Sequence, residues 1–244
     1  MLKHRLYLPP PLATAQTVTV DAARAHYLGR VLRLRRGAAL ICFDGVGSAW
    51  QATLTAIDSR SATLTLDAQV ASESAPSPRL HLVQGLLKGG AMDEVLQKAT
   101  ELGATDLWLI DAARSNVAGA TRSAPERQAR KLGHWQRILH SAAEQCGALH
   151  LPILHGPMDL AQFFATSACA HCLLFDPGGM PLPMSLPRVD TAVLIGPEGG
   201  WSDAELALAV RHDAGPWRLG NLVLRAETAP LVVLSVIRHG WGWA

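Results

Sequence analysis

Leu194-Ile-Gly-Pro-Glu-Gly-Gly-Trp-Ser-Asp-Ala-Glu205, answered downstream by Leu219-Gly-Asn-Leu-Val-Leu-Arg-Ala-Glu-Thr-Ala229, is the sequence from which the fold of this chain can be read. An apolar strand from Thr191 to Ile195 runs into a turn holding three glycines, and a helix opens directly behind it. Ser202, with Glu205 three residues later, is a capping box that fixes the start of that helix. Glycines at such a junction let the backbone approach a ligand closely, with N–H groups free to meet it. The second sequence repeats the plan: a short strand from Trp217 to Leu219, a glycine turn, and an apolar helix from about Thr228. Two backbone-rich loops at strand ends are how an open α/β sheet holds a small molecule. Gly-Pro and Gly-Gly are also ordinary turn punctuation, so it is the pairing of the loops, with Glu198 and Arg225 inside them, that points to a site. Neither loop is a phosphate cradle of the Gly-x-x-x-x-Gly-Lys-Ser/Thr or Gly-x-Gly-x-x-Gly kind.

Working outward, the spacing predicts alternating strands and helices on both sides of this region. Leu80 to Leu86 reads as a strand. Met92, Val95, Leu96, Ala99 and Leu102 share one helical face, which Gly103 ends. Leu107 to Ile110 is the next strand. A long helix follows from Ser123-Ala-Pro-Glu126 to about Cys146, with Leu132, Trp135, Ile138, Leu139 and Ala142 inward; His171 to Phe175 is a further strand. This order predicts a mostly parallel sheet with helices on both faces. Ala71-Ser-Glu-Ser-Ala-Pro-Ser-Pro78 reads as a linker. Before it, Ala39 to Phe43, Trp50 to Ile57 and Ser61 to Val70 alternate like the strands of a small β domain or barrel, with a short helical element at His26 to Leu34.

With 244 residues, 49% hydrophobic and 17% charged, the chain has ample core for one large or two modest domains and is not a disordered polymer. The longest apolar runs, such as Leu231 to Ile237, are too short to span a bilayer, and no apolar segment follows the basic start; the expected location is the cytoplasm. A net charge of +2 decides nothing, but its distribution does. Arg24, Arg30, Arg33, Arg35 and Arg36 crowd a segment without acids, and Arg114, Arg122, Arg127, Arg130, Lys131 and Arg137 form a second basic set. Either can be a solvated surface; together they favour a polyanionic partner. Cys169-Ala-His-Cys172 has metal-like spacing but no second pair, since Cys42 and Cys146 stand apart; the reading is buried structural thiols and no metal.

Taken together, these residues resemble the RsmE-type 16S rRNA uridine-N3 methyltransferases of the SPOUT superfamily. The likeness includes Lys88-Gly89, Met92-Asp93, Gln97-Lys-Ala-Thr-Glu-Leu-Gly103 and Ala143-Glu-Gln145. In the first part it covers His26-Tyr-Leu28, Val31-Leu-Arg-Leu-Arg35 and Phe43-Asp-Gly45, so nearly the whole chain is involved. The resemblance implies a PUA-like β-barrel RNA-binding domain over residues 1–72. A knotted α/β methyltransferase domain would follow over 78–244, working as a homodimer on the small ribosomal subunit. It implies S-adenosylmethionine as cofactor, held near Leu174 and Phe175, at Gly196, Glu198, Gly199 and Gly200, and at Leu219, Gly220, Leu224 and Arg225. The RNA would be gripped by Arg24, Arg30, Arg33, Arg35, Arg36, Lys88, Arg114 and Arg122. The chain departs from the family pattern at Gly90-Ala91, where Asp-Arg is usual, and at Ala148, where an arginine is usual.

Uridine N3 is a weakly acidic imide, nucleophilic only once its proton leaves. Arg225 is the candidate to stabilise negative charge on the uracil oxygens; a phosphate clamp and an ion pair to Glu198 or Glu227 are its alternatives. Glu198 could orient cofactor or target, serve as general base, or be structural. Another target position, such as a ribose 2′-hydroxyl, and a catalytically impaired RNA-binding homologue remain the competing functions.

Overall fold

The computed structural model describes residues 4–116 and 124–242. The chain forms two compact units, the first of residues 1–75 with 143–151 and the second of residues 76–142 with 152–244.

The first unit contains β1 (Arg5–Tyr7), β2 (Thr17–Val20), α1 (Ala22–His26), β3 (Ala39–Phe43), β4 (Ser48–Ile57) and β5 (Ala62–Ser72). They make a sheet of order β1-β3-β4-β5-β2, antiparallel except for the β1–β3 pair. Alternate residues of the long hairpin, Leu54, Leu64 and Leu66 among them, point into a core with Leu28, Leu40 and Trp50. The Asp44-Gly45 turn is shaped by the Asp44 carboxylate, which accepts the N–H groups of Val46 and Ser48 at 2.9 Å each. The helical element starts earlier than periodicity suggests, because Asp21 caps it by accepting the Arg24 N–H at 2.9 Å; it continues as a π-helical turn over Tyr27–Val31. The Ala143-Glu-Gln145 motif belongs to this unit. Ala143 is buried with Ile41, Phe43, Ala49 and Leu149, and the Glu144 carboxylate accepts the Tyr7 N–H at 2.9 Å. Burial raises the Glu144 carboxyl above its ordinary pKa, partly offset by that hydrogen bond and by Arg24 and Arg5.

The second unit runs β6 (Leu80–Gly85), α2 (Gly90–Glu101), β7 (Asp106–Ile110), α3 (Pro125–Cys146, its last turn in the first unit), β8 (Ile153–Met158), α4 (Leu160–Thr166), β9 (His171–Pro181), β10 (Thr191–Ile195), α5 (Asp203–Arg211), β11 (Pro216–Arg218) and α6 (Thr228–Gly240). The sheet, of order β11-β9-β10-β6-β7-β8, is parallel throughout. Its central strands β6, β7 and β10 are buried on both faces, as a parallel sheet between helices requires. On one face Leu82, Leu107, Leu109, Val193 and Ile195 meet Val95, Leu96 and Ala99 of α2, Trp135 and Leu139 of α3, and Val233, Leu234 and Ile237 of α6. On the other, Val83, Trp108, Ile110, Leu174 and Leu194 meet Leu160 and Phe163 of α4 and Ala209 of α5. Strand β8 and helix α4 escape a periodicity reading. The strand carries Gly156 and Pro157, tolerated because it lies at the sheet edge, and the helix has only 7 residues. Its start is nevertheless encoded locally, as a capping box between Asp159 and Gln162.

At the N-terminal edge of this sheet a buried carboxylate ties three strands together. Asp106 accepts from Arg79 Nη2 at 2.7 Å, from Thr105 Oγ1 at 2.8 Å and from His155 Nε2 at 3.0 Å, while His81 Nδ1 stands 3.5 Å away. Trp108 donates its indole N–H to His81 at 3.2 Å and stacks on His155 with centroids 3.5 Å apart. Burial pushes the Asp106 carboxyl up, but His155, His81, Thr105 and Arg79 outweigh it and hold the group below the usual carboxylate range. A depressed carboxyl stabilises the fold fully above its unfolded pKa, and the contribution is lost as pH falls through the folded value. Asp106→Asn is therefore expected to lower unfolding free energy at pH 7 by about 3 kcal/mol in urea titrations. The gap to wild type should begin to narrow below about pH 4, where the unfolded carboxyl takes up a proton, and go on closing as pH falls through the lower native value. A gap unchanged down to about pH 3 would remove the carboxylate's charge from the account.

Candidate functional site

The opposite, C-terminal edge of the sheet opens a cavity of about 590 Å³. It is walled by the middle of β9 (Phe175, Asp176), by the end of β10 (Ile195), by the loop that follows β10 and by the loop between β11 and α6. This is where crossing connections leave a crevice in an open parallel sheet. β10 must stop at Ile195 because α5 begins a few residues on. The Ser202 hydroxyl accepts the Glu205 N–H at 3.3 Å, and the Glu205 carboxylate accepts the Ser202 N–H at 2.8 Å. The other oxygen of Glu205 takes the Ala113 N–H at 3.0 Å, tying the loop after β7 to the same helix start. The turn between follows from its glycines. Gly200 has φ +70°, and a Cβ on Gly196 would lie 3.3 Å from the Gly200 carbonyl carbon. Glu198 reaches across to the loop after β6 and accepts the Lys88 N–H at 3.1 Å.

Of the residues expected at a cofactor, Phe175, Gly196, Glu198, Gly200, Leu219, Gly220, Leu224 and Arg225 line this cavity. Leu174 and Gly199 do not. Leu174 is fully buried in the core on the α4–α5 face. Gly199 packs on Arg114, whose carbonyl oxygen would lie 2.8 Å from a Cβ placed there. Ala91, noted above only as a departure from the family pattern, also faces the cavity, as do Trp201, Trp217 and Asn221, which the sequence did not mark as site residues. Trp201 and Trp217 adjoin the glycine turns, so an aromatic beside each loop was the available signal. The wall is mostly apolar, with the carboxylates of Asp176, Glu198 and Glu227 at its rim. The Trp201 indole N–H is buried and has no protein partner. Arg225 is 86% exposed and 3.8 Å from Glu227, a weak surface pair that leaves the guanidinium accessible to a ligand.

In the first unit Arg30, Arg33, Arg35 and Arg36 are exposed, whereas Arg24 is half-buried, donates to the Tyr7 carbonyl and lies over the Tyr7 ring. In the second unit Lys88 is exposed, and Arg114 is half-exposed 3.7 Å from Asp203. Arg122 lies outside the described residues. Among the described residues no three metal-ligating side chains cluster, and no helix is long and apolar enough to cross a membrane.

Fold and cavity define an RNA methyltransferase built on an α/β sheet. Residues 73–238 match the RNA methyltransferase domain family, and residues 20–67 match the PUA domain of RNA methyltransferases. The chain belongs to the ribosomal RNA small subunit methyltransferase E family, whose SPOUT-type α/β domain follows a PUA-like one. The Synechocystis member is 34% identical over 97% of this chain and 78% of its own length; the Bacillus subtilis member is 28% identical over 92% and 91%. A methyltransferase from Legionella pneumophila, solved with the bound cofactor SAM, superposes with a TM-score of 0.89 at 30% identity, covering 98% of both chains. The Neisseria gonorrhoeae methyltransferase E bound to S-adenosyl methionine gives 0.86 at 28%, again over 98% of both.

The cavity fits such a cofactor. Close-packed glycine backbone and an apolar floor suit an uncharged adenine and ribose, and the unpartnered Trp201 N–H needs an acceptor. Glu198 braces this site through Lys88. Glu198→Ala, which frees that N–H, is expected to weaken S-adenosylmethionine binding roughly tenfold in calorimetric titration. Glu198→Gln, which keeps an acceptor, is expected to weaken it less. Equal affinities for all three proteins would show that the brace is dispensable.

Proposed function

We propose that this chain transfers the methyl group of S-adenosylmethionine to N3 of one uridine in the 16S rRNA of the small ribosomal subunit, in the cytoplasm. The observation that carries the proposal is the cavity between the middle of β9 and the C-terminal end of β10, framed by two glycine loops in a chain of this family. The cofactor supplies an electrophilic methyl on a sulfonium. Everything else falls to the chain's own residues. Phe175, Gly196, Gly200, Leu219, Gly220 and Leu224 hold and orient the donor, and excluding bulk water there strengthens every charge interaction nearby. Arg225, exposed on the rim, meets the uracil oxygens and favours the anion that N3 becomes on losing its proton. Glu198, bonded to the Lys88 N–H, acts by positioning.

The arginines Arg30, Arg33, Arg35 and Arg36 hold the phosphate backbone in this proposal, joined by Lys88, Arg114 and Arg122. A homodimer is part of it. Leu222 and Val223, on the loop that walls the cavity, are 82% and 77% exposed, and Val232 and Val236 form an exposed stripe on α6. Apolar surface of this kind asks for cover.

Labelled methyl from S-adenosylmethionine, offered with small subunits lacking the modification, is expected to appear as 3-methyluridine. Label in a ribose-methylated nucleoside would keep the fold and replace the target; absence of label with cofactor bound would mark an impaired homologue. Arg225→Ala is expected to lower turnover about 10²–10³-fold while cofactor affinity stays near wild type. Wild-type turnover would exclude Arg225 from the chemistry. Replacing Arg30, Arg33, Arg35 and Arg36 with alanine should weaken RNA binding. It should also flatten the log–log salt dependence by roughly 0.7–0.9 for each phosphate no longer neutralised. An unchanged slope would place the RNA elsewhere.

A further inference from the structure

The Cys169-Ala-His-Cys172 motif stands at the start of β9, the strand whose middle walls the cavity. Cys172 is buried within the strand, and Cys169 is half-buried in the segment before it. The Cys172 Sγ donates to the Cys169 carbonyl oxygen at 3.5 Å. The Cys169 Sγ lies 3.5 Å from the His171 carbonyl oxygen and 3.3 Å from that of Asp190. Each sulfur thus lies against a backbone carbonyl of the same four-residue segment. His171 does not join them: its Nδ1 stands 3.0 Å from Thr191 Oγ1, and no third metal-ligating group completes a cluster among the described residues.

We propose that Cys169 and Cys172 form a reversible dithiol–disulfide modification site that exchanges with small disulfides of the glutathione type. Their surroundings divide the work. A hydrogen bond from the Cys172 thiol lowers the Cys169 pKa against the opposing effect of burial, and the same contact, with burial, raises that of Cys172. The accessible sulfur is therefore the attacking thiolate and the buried one the resolving thiol. The Cys169 thiolate attacks one sulfur of the small disulfide, forming a mixed disulfide and releasing a thiolate. Cys172 gives its proton to that thiolate and attacks the Cys169 sulfur, closing the Cys169–Cys172 bond and expelling the second small thiolate. That thiolate takes up the proton Cys169 gave to solvent. Two protein thiols are oxidised and one small disulfide is reduced to two thiols, so no other oxidant is required.

The test is incubation of the native, reduced protein with glutathione disulfide, followed by alkylation and peptide mass spectrometry. The expected product is a peptide carrying an internal Cys169–Cys172 disulfide, reopened by dithiothreitol, while exposed Cys146 carries glutathione. Cys172→Ser is expected to stop at a glutathione adduct on Cys169. In the wild type, a stable glutathione adduct on Cys169, full alkylation of both cysteines, or a disulfide that forms only in urea would each overturn the proposal. Because the decisive readout is made on the wild-type protein, a poorly folding serine variant leaves the test intact.

Discussion

Strand β10 is the constraint on which the rest of the second unit depends. It is buried along its whole length and hydrogen-bonded in parallel to β9 on one side and β6 on the other. A parallel ladder fixes where neighbouring strands end relative to one another, so Ile195 must fall beside Phe175 and Gln84. With β10 ending there, beside the end of β6 and the middle of β9, the chain leaves through Gly196 to Gly200 under close contact. A Cβ on Gly85 would be 2.5 Å from Pro197 Cδ, so the end of β6 is also pressed against this turn. The cavity is therefore a consequence of strand register, completed by loops that could not carry side chains at their tightest points.

The two edges of the same sheet solve different problems. At the N-terminal edge a charge is taken out of water and fully partnered: Asp106 with Arg79, Thr105 and His155. Such a cluster holds β6, β7 and β8 in one register but leaves no room for a ligand. At the C-terminal edge polar groups are left incompletely partnered. Trp201 keeps an unmatched N–H, and Arg225 keeps an exposed guanidinium beside one distant carboxylate. A partnered edge resists change and an unpartnered one can bind, which is why the proposed chemistry is assigned to the second.

Much of this was legible in the chain because it is written in short-range signals. The Ser202–Glu205 box, the strand from Thr191 and the helix from Thr228 follow from caps and periodicity, and the structure has them at those residues. The glycine loops that drew attention are the ones that wall the cavity. What was not legible depends on packing at longer range. β1 and β2 are 3 and 4 residues long, too short to show alternation, and exist because β3 and β5 offer them partners. The strand at Trp217 begins and ends one residue earlier than expected, at Pro216 and Arg218, with a register shift against β9 that no local pattern announces. Asp106 read as the flank of a strand; nothing nearby in sequence says that His155 will come back to meet it.

The two departures from the family pattern are explained by where they fall. Gly90 opens α2, and a Cβ there would meet nothing within 4 Å, so a larger residue is neither required nor excluded by packing. Ala91 lines the cavity, so a short side chain there leaves the rim open where a long basic one would close it. Ala148 packs against the cluster of Ile41, Phe43 and Leu149, and its carbonyl accepts from Arg5 Nη2 at 3.2 Å. Both positions thus keep the backbone role and give up a charge. The floor, formed by Phe175, Ile195 and Gly196, is untouched by either. A chain altered in this way keeps the walls of the cavity intact while presenting no basic side chain at either position.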